Sequence, residues 1–301
     1  VLNILQIPKF IKQELTNPTS FSLCVNGTYY SYNDKELGDR INNRALYLSN
    51  QLGLTRLGYE DRHDVIVYDS EAHACLIDGA RMHMGKRMTY RHNDYESCEK
   101  TLQRATRLCE ETGGGILLIT EGVYGMTGAL GFLDKIVELK KKYKFRILID
   151  DAHGFGNMGP TGRGTSEHFG VMDEIDLYIG AYAKSMASIG GFVAGPKKII
   201  NYLRFNMRSQ IYAKSLPMAL VEGGLKRLEI IRSKEGDELR QKLFTITKAL
   251  QDGFRNLGFE IGPAEACVTP VQIKGGVGQA SRMAVDLREN YEHTMKKTGF
   301  S

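Results

Sequence analysis

Residues 148–156 read LIDDAHGFG and residues 181–195 read AYAKSMASIGGFVAG, and these two stretches decide the fold. The first is an apolar run that ends in an acid, Asp150, with a histidine, His153, shortly after it. The second follows the apolar run IDLYIGAY and places Lys184 at the corresponding position. The interval between them accommodates one crossover of an α/β sheet, so the two strand ends are expected to lie side by side.

Outward from these stretches, short apolar runs alternate with longer segments from Asp64 onward. Runs such as DVIVYD and ILLITEG are apolar and rich in β-branched residues, which is typical of strands buried on both faces of a parallel sheet. Helices are expected over residues 72–84, over residues 95–111 and around FLDKIVELKKKY, the second of them ended by glycines 113–115. The pattern predicts an α/β fold with a mostly parallel central sheet covered by helices.

The chain is expected to have three parts. Residues 1–50 form an N-terminal segment, with a helix-like stretch interrupted at Pro8 and a hairpin in FSLCVNGTYYSY. Residues 51–217 form the large domain. Residues 218–301 form a smaller α+β domain, helical over residues 218–257 and followed by the short runs FEIG and CVTPVQI and a terminal helix.

Composition is that of an ordinary globular protein: 301 residues, 42% hydrophobic and 25% charged, with a net charge of +5. The densest basic cluster, residues 140–142 with Lys144, is read as a solvated helix end in preference to a nucleic-acid patch. The five cysteines have no CxxC spacing, which favours free thiols over a disulfide framework or a zinc site. No signal peptide is visible, and a cytoplasmic location is expected.

Four predicted strand ends carry polar side chains toward one region. Asp150, with His153 close behind it, and Lys184 follow two of these strands, Glu121 follows ILLIT, and His73 lies shortly after DVIVYD. In open α/β sheets, ligands bind beyond the carboxyl ends of the strands. The sequence therefore predicts one pocket that contains all five side chains.

This set of side chains matches the needs of pyridoxal phosphate (PLP). The aldehyde of PLP requires a lysine that is desolvated enough to lose its proton, and Lys184 is the candidate. The ring nitrogen requires a carboxylate such as Asp150, because the protonated ring withdraws electrons from the substrate. His153 is a donor for the phenolic oxygen, and His73 is a planar partner for the ring.

Simpler interpretations remain open. Asp150, Asp151 and His153 could form a metal cluster, although neighbouring strand residues point to opposite faces. Asp150 could instead cap a helix, Lys184 could be a surface residue, and His73 could be a polar residue satisfied at a helix start. A GxGxxG pattern at residues 154–159, followed by Asp176, is not a dinucleotide site, because prolines and glycines follow where a helix would have to begin.

Several runs together resemble the α-oxoamine synthase family of fold-type I PLP enzymes. They are EAHACLIDGARMHMGK, RHND, TEGVYGMTG, LIDDAHGFGNMGPTGRG, AYAKSMASIGGFVAG and MRSQIYAKSLPM. The resemblance covers about residues 60–275 and is most similar in texture to the bacterial serine palmitoyltransferase-like members. It implies the fold-type I architecture with PLP as cofactor.

The resemblance also implies roles. Lys184 would form a Schiff base with PLP, Asp150 would pair with the ring nitrogen, and His153 would bond the phenolic oxygen. His73 would stack on the ring and position the substrate carboxylate. A homodimer with a shared active site is implied, in which the segment around Ser215 reaches the phosphate of the neighbouring subunit.

The chain departs from the family pattern mainly where the phosphate is held. Ala181, Ala183 and Ala213 stand at positions where many members carry a hydroxyl, and Gly125 stands where many carry a serine. Backbone N–H groups, Ser185 and Ser215 are therefore the expected phosphate anchors. The family's glycine-rich stretch, expected between residues 50 and 61, and its arginine segment, expected at residues 291–292, are both missing, which we interpret as two internal gaps.

The implied reaction condenses an amino acid with an acyl-CoA, with loss of carbon dioxide. L-serine and palmitoyl-CoA are the expected substrates, as in the first step of sphingolipid synthesis, and the α-proton is removed by Lys184. Glycine C-acetyltransferase and 8-amino-7-oxononanoate synthase activities are the alternatives within the family. A non-catalytic partner subunit is the alternative from another class, although a buried lysine would have no purpose there. The amphipathic N-terminus suits peripheral lipid recruitment less well than packing on the protein itself, and no nucleic-acid partner is expected.

Overall fold

The computed structural model describes residues 20–25, 28–33, 63–213, 215–275 and 277–298. The expected helix-like stretch of residues 1–17 and the segment of residues 50–61 lie outside these ranges. The chain divides into two compact units, residues 1–125 with 130–241 and residues 126–129 with 242–301. The domain boundary at residue 217 stays a prediction.

The first unit contains a two-stranded antiparallel hairpin and a six-stranded sheet. The hairpin pairs β1 (Ser20–Val25) with β2 (Thr28–Asn33), as predicted. The sheet strands are β3 (Val65–Asp69), β4 (Lys86–Tyr90), β5 (Ile116–Glu121), β6 (Arg146–Asp150), β7 (Leu177–Ala181) and β8 (Gly191–Ala194). Their order is β4-β3-β5-β6-β7-β8, and every pairing is parallel except β7 with β8.

Helices follow the strands along the chain. They are α1 (Ala74–Arg81), α2 (Tyr95–Thr112), α3 (Leu133–Leu139), α4 (Thr165–His168), α5 (Lys197–Asn206), α6 (Arg208–Ile211), α7 (Met218–Ile231), α8 (Lys234–Asn256) and α9 (Val277–Thr298). Local sequence sets the ends of α2: the Asp94 side chain caps its first turn, and Gly113 adopts the left-handed conformation that ends it.

Alternate residues of the central strands pack into two separate cores, one on each face of the sheet. One core joins Ile66, Leu117, Leu148 and Leu177 to helices α1 and α5. The other joins Val65, Val67, Ile116, Leu118 and Ile147 to helices α2 and α3. The prediction of a mostly parallel sheet covered by helices on both faces is confirmed.

Neither of the two edge strands of the sheet, β4 and β8, was predicted. Strand β4 has the sequence KRMTY, which is polar and partly exposed because it lies at an edge. Strand β8 lies within the small-residue run 187–195 and pairs antiparallel with β7. Gly180 on β7 makes room for Phe192 on β8, since a Cβ on Gly180 would lie 2.4 Å from the Phe192 ring.

In the second unit, the short runs 259–262 and 267–273 form one isolated bridge, between Glu260 and Gln272, instead of regular strands. The Gln251 amide donates to the carbonyl of Ala264 at 3.0 Å. Helix α9 extends across residues 290–293, and the expected gap at residues 291–292 stays a prediction. The prediction that residues 218–257 are helical is confirmed by α7, which belongs to the first unit, and by α8, which begins in the first unit and ends in the second.

The basic cluster after α3 is a helix end, as predicted. The Lys140 ammonium lies 3.1 Å from the Asp176 carboxylate, and the Lys142 ammonium lies 2.8 Å from Glu99. These lysines therefore tie neighbouring elements of the first unit together. Within the described part of the chain, no helix combines the length and the apolar character needed to cross a membrane.

Candidate active site

The end of strand β6 sends two neighbouring carboxyl groups in different directions. Asp150 lines a pocket at the carboxyl edge of the sheet, and its Oδ1 accepts the backbone N–H of Ala152 at 3.0 Å. Asp151 is fully buried, and its Oδ2 accepts the N–H of Thr165 at 2.7 Å and the hydroxyl of Tyr178 at 2.8 Å. The carboxyl groups do not converge, which argues against a metal cluster at this position.

The chain after Asp151 forms turns until α4 begins at Thr165. Asp150 therefore does not cap a helix, and the GxGxxG pattern does not open one, as predicted. The turns rely on glycine, because Gly156 and Gly159 have φ angles of 88° and 79°. They bring His153 back toward the strand ends.

Lys184 and His153 meet in the pocket. The Lys184 Nζ lies 3.1 Å from the His153 Nε2. Burial lowers the pKa of His153, and the nearby charge of Lys184 lowers it further. An ammonium has no acceptor, so Nε2 accepts from Lys184 and the imidazole proton sits on Nδ1. Gly125 makes room for this arrangement, since a Cβ there would lie 2.6 Å from the His153 Nε2.

His73 enters the pocket from the N-terminus of α1. Its Nδ1 accepts the N–H of Cys75 at 3.2 Å and so caps the helix. The simple interpretation of His73 as a helix-start residue is therefore correct, and it is compatible with a place in the pocket. Because Nδ1 is an acceptor, the proton of the neutral ring is on Nε2.

Glu121 ends strand β5 next to Asp150, its register partner on β6. Its Oε1 accepts the backbone N–H of His73. Burial raises the pKa of Glu121 to about 8, with the charge of Asp150 as the second cause. Burial also raises the pKa of Asp150, while the Ala152 N–H, His73 and Lys184 act in the opposite direction.

A pocket of about 670 Å³ contains these groups, a size typical of small-molecule sites. Its charged and polar lining comprises His73, Cys75, Glu121, Asp150, His153, Lys184, Arg204 and Gln210. Its apolar lining includes Leu76, Ile179, Phe192, Val193, Ile200, Leu203 and Met207. The predicted convergence of four strand ends on one region is confirmed.

One expectation fails. Lys184 is exposed instead of buried, since it lies in the open turn between β7 and β8. Ser185 and Ser215, the expected phosphate anchors, do not line this pocket, and because Ser215 was expected to serve the neighbouring subunit, their roles stay predictions. Ser185 donates its hydroxyl to the Phe155 carbonyl at 2.5 Å, and Ser215 is exposed.

Glu121 was predicted to lie in the pocket because it stands at a strand end like Asp150, but no role was assigned to it. Cys75 and Arg204 were not predicted. Cys75 lies in the first turn of the helix after His73, and Arg204 lies in the last turn of α5. Helix packing, and not any local motif, brings Arg204 to the pocket.

The residues present fit the ring end of PLP. A lysine amine, a buried carboxylate and two neutral imidazoles are the donor set that its aldehyde, ring nitrogen, phenolic oxygen and ring face require. All four line one pocket. Ser185 and Ser215, which were expected to hold the phosphate, do not line this pocket. Residues 34–62 lie outside the described part of the chain.

Comparison with known proteins agrees with this geometry. Residues 47–296 match the model of aminotransferase class I and II. The chain is 53% identical over 268 residues to a cysteate-C-fatty acyltransferase from Capnocytophaga ochracea, which covers 86% of this chain and 62% of that relative. It is 39% identical over 214 residues to a serine palmitoyltransferase from Bacteroides ovatus, covering 71% of this chain and 52% of the relative.

A high-resolution structure of SPT with PLP superimposes with a TM-score of 0.64 at 28% identity, covering 73% of this chain and 56% of that one. The chain thus spans between about half and three fifths of the length of these similar proteins.

Proposed function

We propose that this chain, which belongs to the aminotransferase class I and II family and within it to the α-oxoamine synthases, acts as a PLP-dependent C-acyltransferase. It would join the α-carbon of an amino acid to a fatty acyl group with loss of carbon dioxide. The amino acid we favour is L-cysteate, and L-serine is the second candidate.

The observation that carries the proposal is the convergence of Lys184, His153, Asp150 and His73 on one pocket. The Lys184 Nζ lies 3.1 Å from the His153 Nε2, a contact that a lysine does not need for solubility. Asp150 has fewer hydrogen-bond partners than a carboxylate with a purely structural role would have. Together they make up the ring end of a PLP site.

When bound, PLP would supply an aldehyde that bonds an amine and a protonated ring that withdraws electrons from the substrate's α-carbon. Lys184 would hold that aldehyde and then take the α-proton with its freed amine. Asp150 would keep a proton on the ring nitrogen, since its carboxylate is held in a largely buried position. His153 would orient Lys184, and the Nε2–H of His73 would be a donor for the substrate carboxylate.

The choice of cysteate rests on two observations. The relative that acts on cysteate is 53% identical, against 39% for the relative named for serine. Arg204 lines the pocket, and the described residues give its guanidinium no carboxylate partner. A sulfonate remains anionic at neutral pH, and an arginine can bind it through paired, charge-assisted hydrogen bonds.

The second candidate has support of its own. Serine needs no additional cation, and the polar side chain of Gln210 also lines the pocket. Condensation of serine with palmitoyl-CoA would then be the first step of sphingolipid synthesis. The apolar wall of Ile179, Val193, Ile200 and Leu203 suits a fatty acyl chain with either amino acid, and palmitoyl-CoA is the donor we propose.

We further propose that the enzyme works in the cytoplasm as a homodimer with a shared active site. The predicted role of Ser215 supports this arrangement, because Ser215 is exposed and does not line its own pocket. A serine that holds phosphate would then have to serve the neighbouring subunit. Sedimentation of wild type and Ser215→Ala with PLP tests the idea; a monomer that binds PLP as tightly as the dimer contradicts it.

The test of the function starts with the purified protein, PLP and palmitoyl-CoA. L-cysteate, L-serine and glycine are added in turn, the visible absorption band of bound PLP is followed, and products are identified by mass spectrometry. We expect cysteate to perturb the band at the lowest concentration and to yield a keto product with release of carbon dioxide. Serine as the better substrate would favour the second candidate, and binding of PLP without any product would favour the non-catalytic subunit.

The role of Arg204 is tested by Arg204→Gln. We expect the KM for cysteate to rise about 10- to 100-fold, as for loss of a charged hydrogen bond, with the KM for serine unchanged. Arg107→Gln on the exposed side of α2 is the matched control. An equal effect of Arg204→Gln on both amino acids would contradict recognition of the sulfonate.

A further inference from the structure

We propose that Glu121 is a positioning residue of this site, whose carboxyl group fixes the loop that carries His73 and shares the strand edge with Asp150. The proposal rests on the proposed function for its meaning in catalysis, but the contact with His73 can be tested without any cofactor. Glu121 belongs to none of the groups that touch the ring of PLP in the proposed function.

One hydrogen bond joins the Glu121 side chain to the backbone of His73. The Glu121 Oε1 accepts the backbone N–H of His73, an interaction that crosses from the end of β5 to the turn between β3 and α1. That N–H is otherwise one of the orphan donors at a helix N-terminus. The Glu121 carboxyl group therefore fixes the position of the His73 backbone. The hydrogen bond from the Cys75 N–H to the His73 Nδ1 fixes the orientation of the His73 ring.

Glu121 is buried in the wall of the pocket. It is 5% exposed, lines the same pocket as Lys184 and Asp150, and is the register partner of Asp150 on the adjacent strand. A buried acid that served stability alone would not be expected in the wall of a ligand pocket, beside another acid. Such placement of two acids side by side is typical of functional sites.

Burial also determines the charge state of Glu121. With a pKa raised to about 8, Glu121 is protonated at neutral pH, so it adds no second negative charge beside Asp150. The charged and titratable groups that surround it are Asp69 on β3, His73 and Cys75 at the start of α1, Asp150 on β6 and Lys184 after β7. Raising the pH through about 8 ionises Glu121 and places two carboxylates side by side.

Ionisation of Glu121 is expected to change the affinity for PLP in one direction. Two adjacent carboxylates repel each other, and a protonated ring nitrogen bound at Asp150 relieves that repulsion. Ionisation of Glu121 should therefore strengthen PLP binding. Lys184 is present in both wild type and Glu121→Gln, so its own contribution to the pH dependence is common to the two proteins. The comparison of Glu121→Gln with wild type isolates this contribution.

The experiment uses two substitutions. Glu121→Gln keeps an oxygen acceptor for the His73 N–H but cannot ionise, and Glu121→Ala removes both properties. Glu71→Gln, an exposed acid in the same loop, is the matched control. Amide hydrogen exchange of residues 70–77 is measured without PLP, and the Kd for PLP is measured one unit below and one unit above pH 8.

We expect exchange in residues 70–77 to be about tenfold faster in Glu121→Ala, as for loss of about 1.4 kcal/mol of local protection, and near the wild-type rate in Glu121→Gln. The Kd for PLP should rise several-fold in Glu121→Ala. The gain in PLP affinity across pH 8 should be smaller in Glu121→Gln than in wild type, while Glu71→Gln should match wild type throughout.

Exchange rates that are equal in wild type and Glu121→Ala would overturn the positioning of His73. If Glu121→Ala does not fold, an unchanged pH dependence of PLP binding in Glu121→Gln overturns the proposal. A wild-type chain that binds no PLP would refute the proposed function instead, and the exchange measurement would still decide whether Glu121 holds the His73 loop.

Discussion

The pocket layer and the anchor layer at the carboxyl edge of the sheet use carboxyl groups in opposite ways. We define the pocket layer as Glu121, Asp150, His153 and Lys184, and the anchor layer as Asp69, Asp151, Thr165 and Tyr178. Asp151 binds Thr165 and Tyr178 through one oxygen. Asp69 accepts the N–H of Glu71 at 2.8 Å, the N–H of Asn93 at 3.1 Å and the imidazole of His92 at 3.0 Å.

The difference lies in how the acids are satisfied. Acids of the anchor layer have several donors and no access to the pocket, so substitution should cost mainly stability. Acids of the pocket layer have one backbone donor each, Ala152 for Asp150 and His73 for Glu121, and face the pocket. Their substitution should cost mainly cofactor binding and catalysis.

The largest effect is expected from Lys184→Ala. Loss of the amine that bonds PLP and moves the α-proton should lower kcat by about 10³-fold or more. Stability should hardly change, because Lys184 is exposed. Product formation and thermal unfolding are measured together, with Lys141→Ala as the control. Full activity in Lys184→Ala would remove the pocket layer from catalysis.

Asp150→Asn should produce the next largest effect. An amide cannot hold a proton on the ring nitrogen, so kcat should fall by about 10²- to 10³-fold. Since burial raises the pKa of Asp150, the folded protein should lose little or no stability. Steady-state kinetics and denaturant unfolding provide the two values, and a large loss of stability with normal kcat would reverse the assignment of Asp150 to the pocket layer.

Asp151→Ala should show the opposite profile. It leaves the Thr165 N–H and the Tyr178 hydroxyl without their acceptor in a buried place, at a cost of about 2–3 kcal/mol. The fraction that stays folded should keep its affinity for PLP. Urea unfolding and PLP titration on the same sample distinguish the two outcomes; loss of PLP binding without loss of stability would place Asp151 in the pocket layer.

The last prediction is a pH dependence of stability that originates in Asp151. Burial raises its pKa in the folded state from 3.8 to about 6, so the folded state binds more protons than the unfolded state between these values. The free energy of unfolding should therefore fall as the pH rises through this window, by at most about 3 kcal/mol. In Asp151→Asn this fall should be absent; an unchanged slope would assign it to another group.

Much of this site could be predicted because the central strands are apolar over their whole length. The strand that ends at Asp150 and the one before Lys184 were recognisable from composition alone, and their common edge follows from parallel pairing. Edge strands β4 and β8 could not be recognised, since partial exposure removes the apolar signal. The place of Arg204 depends on how α5 packs, and the hydroxyl of Ser185 is taken by a carbonyl, neither of which a local pattern contains.

Chemical trapping of bound PLP tests the central claim most directly, because it identifies the amine that holds the cofactor. The protein is incubated with PLP, reduced with borohydride and digested, and the modified peptide is sequenced by mass spectrometry. We expect a pyridoxyl group on Lys184 at close to one per chain, and none at that peptide in Lys184→Ala. Modification spread over surface lysines, with Lys184 unmodified, would contradict the assignment of this pocket.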